Sequence, residues 1–296
     1  MTYHLILGDR SYSSWSLRGW LLFEKFGLQA TERFVDFNGA GSFKPQTVGE
    51  QMADLAPART VPTLITPEGA LVWESLAIAE ELATRHPGAG HWPGEAGARA
   101  TARTLAAEMH SGFSALRAAC PMNLRAAYRS YEPEAEVVAD VRRLEAIWDH
   151  ARSVAGGDGP WLFGAFSAAD AFFAPVAARI AGYGLKVGAP AAAYVATHLA
   201  DPAFRRWRAM GLAQGETLPW YARDHDQCDW PGPAPLPARA VAAGPSENAA
   251  CPYSGKPVTQ FLELDGRVFG FCNAFCRDKT VNDPEAWPKF MGIYHS

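Results

Sequence analysis

Along the first part of the chain the apolar positions change period several times, and each change marks an element. Residues 3–8 alternate well enough for a first strand ending at Gly8. A polar loop, Asp9-Arg10-Ser11-Tyr12-Ser13-Ser14, then runs into a helix that continues to about Lys25 and is stopped by Gly27. A second strand follows from Glu32 to Phe37. After a Gly/Pro-interrupted stretch, Asn38 to Pro57, the pattern predicts a short strand over Thr63–Thr66, a turn at Pro67-Glu68-Gly69 and a strand over Leu71–Trp73. Leu76, Ala79, Leu82 and Ala83 then keep helical spacing on a helix opened by Glu74-Ser75 and ending near Arg85. The order is βαβ followed by ββα. Val61-Pro62, set directly before a strand, is a candidate cis peptide; an ordinary trans proline at a strand's first residue is the alternative.

His86 to Gly94 reads as a linker, and from Glu95 only the helical period remains. Helical segments are expected over Glu95–Arg129, Glu134–Val154, Ala168–Gly182, Ala191–Leu199 and Pro202–Ala213. Ser167-Ala-Ala-Asp170 has the form of a capping box, with Phe166 and Ala171 placed as a hydrophobic staple. Asp201-Pro202 supplies an N-cap followed by a first-turn proline. On the first of these helices Met109, Phe113, Leu116 and Arg117 recur on one face. Arg117 and Arg125 sit badly in an apolar core and are candidates to meet an anionic substrate.

Composition narrows the class. The chain has 296 residues, 48% of them hydrophobic, enough for two compact domains and an appendage. A net charge of -4 and a pI near 6.1 leave no electrostatic footprint for nucleic acid or an anionic membrane. No apolar run approaches a membrane span, so a cytoplasmic location is expected. Five cysteines, most of them late in the chain, do not read as a secreted disulfide scaffold.

Val61-Pro62-Thr63-Leu64, the hairpin and Glu74-Ser75 at a helix start together resemble the glutathione-binding half of the glutathione S-transferases. The resemblance covers about residues 1–222 and implies a thioredoxin-like α/β domain (1–86) followed by an all-α domain (92–222). It implies that Val61, beside Pro62, pairs with the cysteinyl backbone of glutathione, and that Glu74 and Ser75 hold its γ-glutamyl end. A helix N-terminus suits a carboxylate on physical grounds as well. Lys44, Gln51 and Arg59 are candidates for the glycine-end carboxylate. The Ser-rich loop stands where serine-type members, of the zeta and theta kind, carry their catalytic Ser. Ser11 aligns with that position, Ser14 comes next and Ser13 third, with Tyr12 as an outsider; helix capping is the competing role for two of the three serines. Tyr12, Trp15, Met109, Phe113 and Arg117 are expected around the electrophile. The family also implies a homodimer and a role in detoxification.

After Tyr221 the composition shifts. Residues 223–248 form a Pro/Ala-rich linker, and 249–296 a Cys-rich piece with a hairpin predicted around Asp265-Gly266. Cys251, Cys272 and Cys276, spaced Cys-x20-Cys-x3-Cys, resemble the TRASH and YHS family of small metal-binding modules. Zinc wants four ligands and three thiols are present, with Ser254 where a second knuckle cysteine would stand. His295 and Asp278 are candidates for the fourth corner. The alternative is a module whose cysteines are simply buried among Phe261, Phe269, Phe271, Phe275 and Trp287. The expected activity is transfer of glutathione to an electrophile. Its alternatives are a glutathione-dependent isomerase and a non-catalytic glutathione- or metal-binding protein.

Overall fold

The computed structural model describes residues 2–37, 45–156 and 158–296. They form two compact units: Met1–Leu199 with Thr217–Pro231, and Ala200–Glu216 with Gly232–Ser296. No helix among the described residues is long and apolar enough to cross a membrane.

The first unit opens with β1 (Tyr3–Leu7), α1 (Ser14–Glu24), β2 (Ala30–Phe34), α2 (Pro45–Gln51), β3 (Thr63–Ile65), β4 (Leu71–Trp73) and α3 (Ser75–Arg85). The sheet order is β2-β1-β3-β4. β1 pairs parallel with β2 and antiparallel with β3, which pairs antiparallel with β4. This is the thioredoxin-like βαβ-ββα order read from the sequence. Register explains the hydrophobic pattern of β1: Leu5, Ile6 and Leu7 are all buried, as befits a strand covered on both faces.

The helical layer follows. α4 (Ala96–Ser111) and α5 (Ser114–Ala119) come next. The short strand β5 (Ala127–Tyr128) leads to α6 (Ala135–Ala155), α7 (Ala168–Gly182) and α8 (Ala189–Ala200). The continuous helix expected from Glu95 to Arg129 is instead broken at Gly112-Phe113, where Phe113 takes a left-handed φ of 57°. α7 packs against both α1 and α4, and every residue of it except Ala181 is buried. Its start is the predicted capping box. The Ser167 N–H and O–H both donate to Asp170 Oδ2, and the Leu162 N–H and Tyr194 O–H donate to Oδ1. Asp170 thereby ties the loop, α7 and α8 together inside the core.

The second unit is built from α9 (Pro202–Ala213) and the C-terminal residues. The two-residue strand β6 (Gln227–Cys228) belongs to the first unit, where it pairs with β5. β7 (Arg239–Val241), β8 (Gln260–Leu264) and β9 (Arg267–Phe271) make a three-stranded antiparallel sheet. It is followed by α10 (Ala274–Asn282) and α11 (Pro288–Tyr294). The predicted hairpin is there: Leu264 pairs with Arg267, and Asp265 and Gly266 both have positive φ, as a type I′ turn needs. The Pro/Ala-rich stretch is more than a linker, since β7 within it forms an edge of the sheet. α9 joins this unit through Arg205, whose guanidinium donates twice to Asp283 at 2.7 Å.

Candidate functional site

The loop after β1 is folded by its own polar groups. Asp9 Oδ1 accepts the Ser11 N–H at 2.7 Å, and the Ser13 N–H donates to the Asp9 carbonyl at 2.8 Å. Ser13 is the N-cap of α1: its Oγ accepts the Ser16 N–H, and its hydroxyl donates to Ser16 Oγ at 2.8 Å. Capping is therefore the role of Ser13, and its proton is committed. Ser11 is 0% exposed and stays out of the neighbouring cavity. Ser14, the first residue of α1, lines that cavity, and its Oγ accepts from Arg179 Nη2 at 3.4 Å. Because Ser14 Oγ accepts there, its own proton can point elsewhere.

The cavity measures about 720 Å³, within the usual range for a small-molecule site. Thr60 and Val61 line one wall, and the Val61-Pro62 bond is cis. Pro62 is buried behind them; a Cβ on Gly19 of α1 would lie 2.7 Å from it, so only glycine permits this approach of helix and proline. Glu74, the N-cap of α3, also lines the cavity, 3.7 Å from His110. Ser75 follows as the first residue of α3, with a buried hydroxyl that has no partner among the described residues. Arg59 is exposed at the rim. Gln51 is spent on Asp36, donating to its carbonyl and accepting from its N–H. Lys44 lies outside the described residues.

The helical layer supplies the opposite wall. Arg117 and Arg179 line it together with Trp15, Ala118, Pro121 and Met122. Met109 and Phe113, expected here, are buried in the core and do not reach the cavity, because the helix break turns this face away from α5. Tyr12 does line it, but its hydroxyl is anchored by the Leu218 N–H at 3.2 Å and its ring lies on Tyr221.

Residues 12–85 match the family model of the glutathione S-transferase N-terminal domain. A sequence comparison with curated proteins gives no match. Solved structures resemble the chain in fold. A glutathione transferase homolog from Burkholderia (strain BGR1), with bound glutathione, is 23% identical; the match covers 71% of this chain and 97% of that one, at a TM-score of 0.51. Glutathione transferase Omega 2S from Trametes versicolor is 22% identical, over 70% of this chain and 94% of that one, at a TM-score of 0.50. The nitrogen regulation fragment of the yeast prion protein Ure2p is 18% identical, over 70% and 96%, at 0.51. The thioredoxin-like domain with its helical layer thus has the glutathione transferase fold.

Around this cavity one residue escaped the sequence reading. Arg179 is buried in the apolar α7, donating to the carbonyls of Cys120 at 2.9 Å and Pro175 at 3.3 Å as well as to Ser14. Burial, reinforced by the nearby Arg117, brings its guanidinium down to about 10. The signal was present: a lone arginine in an otherwise apolar helix is an expense that only a site or a network explains.

The second unit holds a different constellation. The sulfurs of Cys251, Cys272 and Cys276 lie within 4.8 Å of one another, those of Cys272 and Cys276 at 3.9 Å. Ser254 Oγ donates to Cys272 Sγ at 3.2 Å. Burial pushes the Cys251 thiol up, but the N–H groups of Tyr253, Cys272 and Ser254 and the Ser254 hydroxyl outweigh it and bring it to about 6. Burial, with the neighbouring Cys251, pushes Cys276 up to about 12. Neither His295 nor Asp278 belongs to the cluster, and Asp278 is held by Arg277 at 2.7 Å.

Proposed function

We propose that this protein is a glutathione transferase that uses the Ser14 hydroxyl to stabilise the thiolate of glutathione. The observation that carries the reading is the meeting of three features in one cavity: Ser14 at the α1 N-terminus, Val61 before the cis proline, and Glu74 at the N-terminus of α3. Glutathione bound in the similar Burkholderia structure supports the same ligand here. Val61 would pair with its cysteinyl backbone, the orphaned Ser75 hydroxyl and α3 N–H groups would take the γ-glutamyl carboxylate, and Glu74 its ammonium. Arg59 is the candidate for the glycine end.

A glutathione thiol ionises near 8.5 when unperturbed. The Ser14 O–H, the α1 dipole and the charge of Arg179 all favour its anion. The thiol proton leaves to water; the sulfur lone pair then forms the bond to the electrophile, whose leaving group or shifted π pair carries off the charge. Ser14 is preferred to Ser11, the first choice by sequence position, because Ser14 lines the cavity and Ser11 does not. The family likeness adds the expectation of a homodimer acting in the cytoplasm, as in detoxification.

The test is the ultraviolet thiolate band of bound glutathione followed against pH. Its midpoint should fall below that of free glutathione, rise by about one to two pH units in Ser14→Ala, as expected for one hydrogen bond to a charge, and stay put in Ser11→Ala. A wild-type protein without the band is not a transferase. A midpoint that moves with Ser11 reassigns the donor.

The cysteine cluster supports a second role, a bound zinc ion in the C-terminal unit. A tetrahedral zinc with bonds of about 2.3 Å holds its sulfurs ~3.8 Å apart, and Cys272 and Cys276 stand at 3.9 Å. The N–H groups aimed at Cys251 favour the thiolate that a metal needs. Cys251, Cys272 and Cys276 would hold the ion, which supplies cross-linking rather than chemistry.

A further inference from the structure

Among the described residues, no carboxylate pairs with Arg117 or Arg179 on the cationic wall of the cavity. Arg117 donates from Nη1 to the carbonyls of His110 and Gly112 at 3.4 and 3.2 Å, and its Nη2 and Nε have no acceptor among the described residues. Arg179 meets only neutral oxygens. Behind them Arg18, 1% exposed, leaves Nε and Nη1 without partners. The guanidinium carbons of Arg18 and Arg117 lie 4.3 and 4.8 Å from the Trp15 ring centroid. Two guanidinium groups thus flank one aromatic ring, and Arg117 and Arg179 are both near enough to Arg18 to disfavour its charge. Among the described lining residues the one carboxylate is Glu74, and it sits beside His110.

Such an arrangement is costly for the free protein, because buried charge without a counter-ion is expensive. A glutathione thiolate beside Ser14 would answer one charge, that of Arg179. Arg117 remains, and it lines the cavity together with Trp15, Ala118, Pro121 and Met122. We propose that Arg117, backed by Arg179, seats the carboxylate of an anionic electrophile whose flat apolar body lies against Trp15 and Met122. A planar fork presented to a cavity is the geometry that takes a carboxylate in two parallel hydrogen bonds. This rests on the transferase reading and names its substrate class.

The experiment uses a matched pair: a benzylidene ketone bearing a ring carboxylate, and its methyl ester. Glutathione adds to either by forming a bond from sulfur to the β-carbon; the π pair moves to the α-carbon, which takes a proton from water. The wild type should show a KM for the acid about tenfold below that for the ester, the difference appearing in KM rather than kcat. The ratio should fall to about one in Arg117→Gln and recover in part in Arg117→Lys. Equal KM values in the wild type, or a preference undiminished in Arg117→Gln, would overturn the proposal. Calorimetry with the saturated, unreactive analogues on the glutathione-loaded protein repeats the comparison without turnover. If neither ketone reacts but the acid analogue binds more tightly through Arg117, the transferase reading fails and the carboxylate seat stands. Equal binding of the two analogues sinks the seat.

Discussion

The two candidate sites of this chain stand in opposite relations to the cores around them. In the first unit Ser14, Arg117, Val61 and Glu74 lie on the wall of a cavity, at element ends, while the fold is held elsewhere. Trp148, Phe172 and Phe173 are fully buried, and Asp170 gathers four donors beneath them. In the second unit Cys251 and Cys276 are interior residues of a small body, alongside Phe269, Phe271 and Phe290. There the site and the core are the same residues. Function should therefore separate from stability in the first unit and not in the second.

The largest effect should come from cutting into the core of the first unit. Asp170→Ala strands the donors of Leu162, Ser167 and Tyr194 and should cost at least about 3 kcal/mol in denaturant unfolding. Ser14→Ala, by contrast, should cost less than about 1 kcal/mol while lowering turnover about a hundredfold. If both variants unfold alike, the separation is false.

Next comes the second unit. Elemental analysis of the purified protein should find one zinc per chain, and Cys276→Ala should lose it together with stability. At a hundredfold excess over its dissociation constant the ion adds ~2.7 kcal/mol, so a chelator should lower the melting of this unit and leave that of the first unchanged. A metal-free protein that melts the same with and without chelator would return the cysteines to simple core residues.

The most gradual effect belongs to pH. Burial and the charge of Lys25 hold the His198 imidazole down to about 3. An unfolded histidine takes its proton near 6.5, so the unfolded state binds more protons between these values. Stability contributed by neutral His198 is complete above about pH 6.5 and drains away as pH falls toward 3, by up to ~1.4 kcal/mol per unit. His198→Gln should flatten that slope between pH 6.5 and 4, read from denaturant midpoints.

Much of the fold was legible because its signals are local. Period changes marked the βαβ-ββα order, Ser167 and Asp170 announced the start of α7, and Asp265-Gly266 announced its hairpin. The site was harder for a physical reason. Three serines in four positions are equivalent as letters, and only packing decides that Ser11 is shut away from the cavity while Ser13 and Ser14 line it, Ser13 also capping α1. Phe113 kept perfect helical spacing with Met109, yet the break at Gly112 makes that spacing meaningless. β7 was missed because an edge strand of three residues inside a Pro/Ala-rich stretch has almost no pattern of its own. Arg179 asked to be noticed, but its partners lie on segments distant in sequence.

The second unit is stitched from separated pieces of chain, with α9 taken from among the transferase helices. A premature stop after Pro231 would not simply trim a tail. It would strip α9 of Asp283, Glu285 and the Ala286 carbonyl, which Arg205 and Arg206 now grip. A gene shortened there would encode a transferase fold carrying a raw, cationic helix face. The added segment has become a dependency: what was appended late in the chain is now needed to finish what came before it.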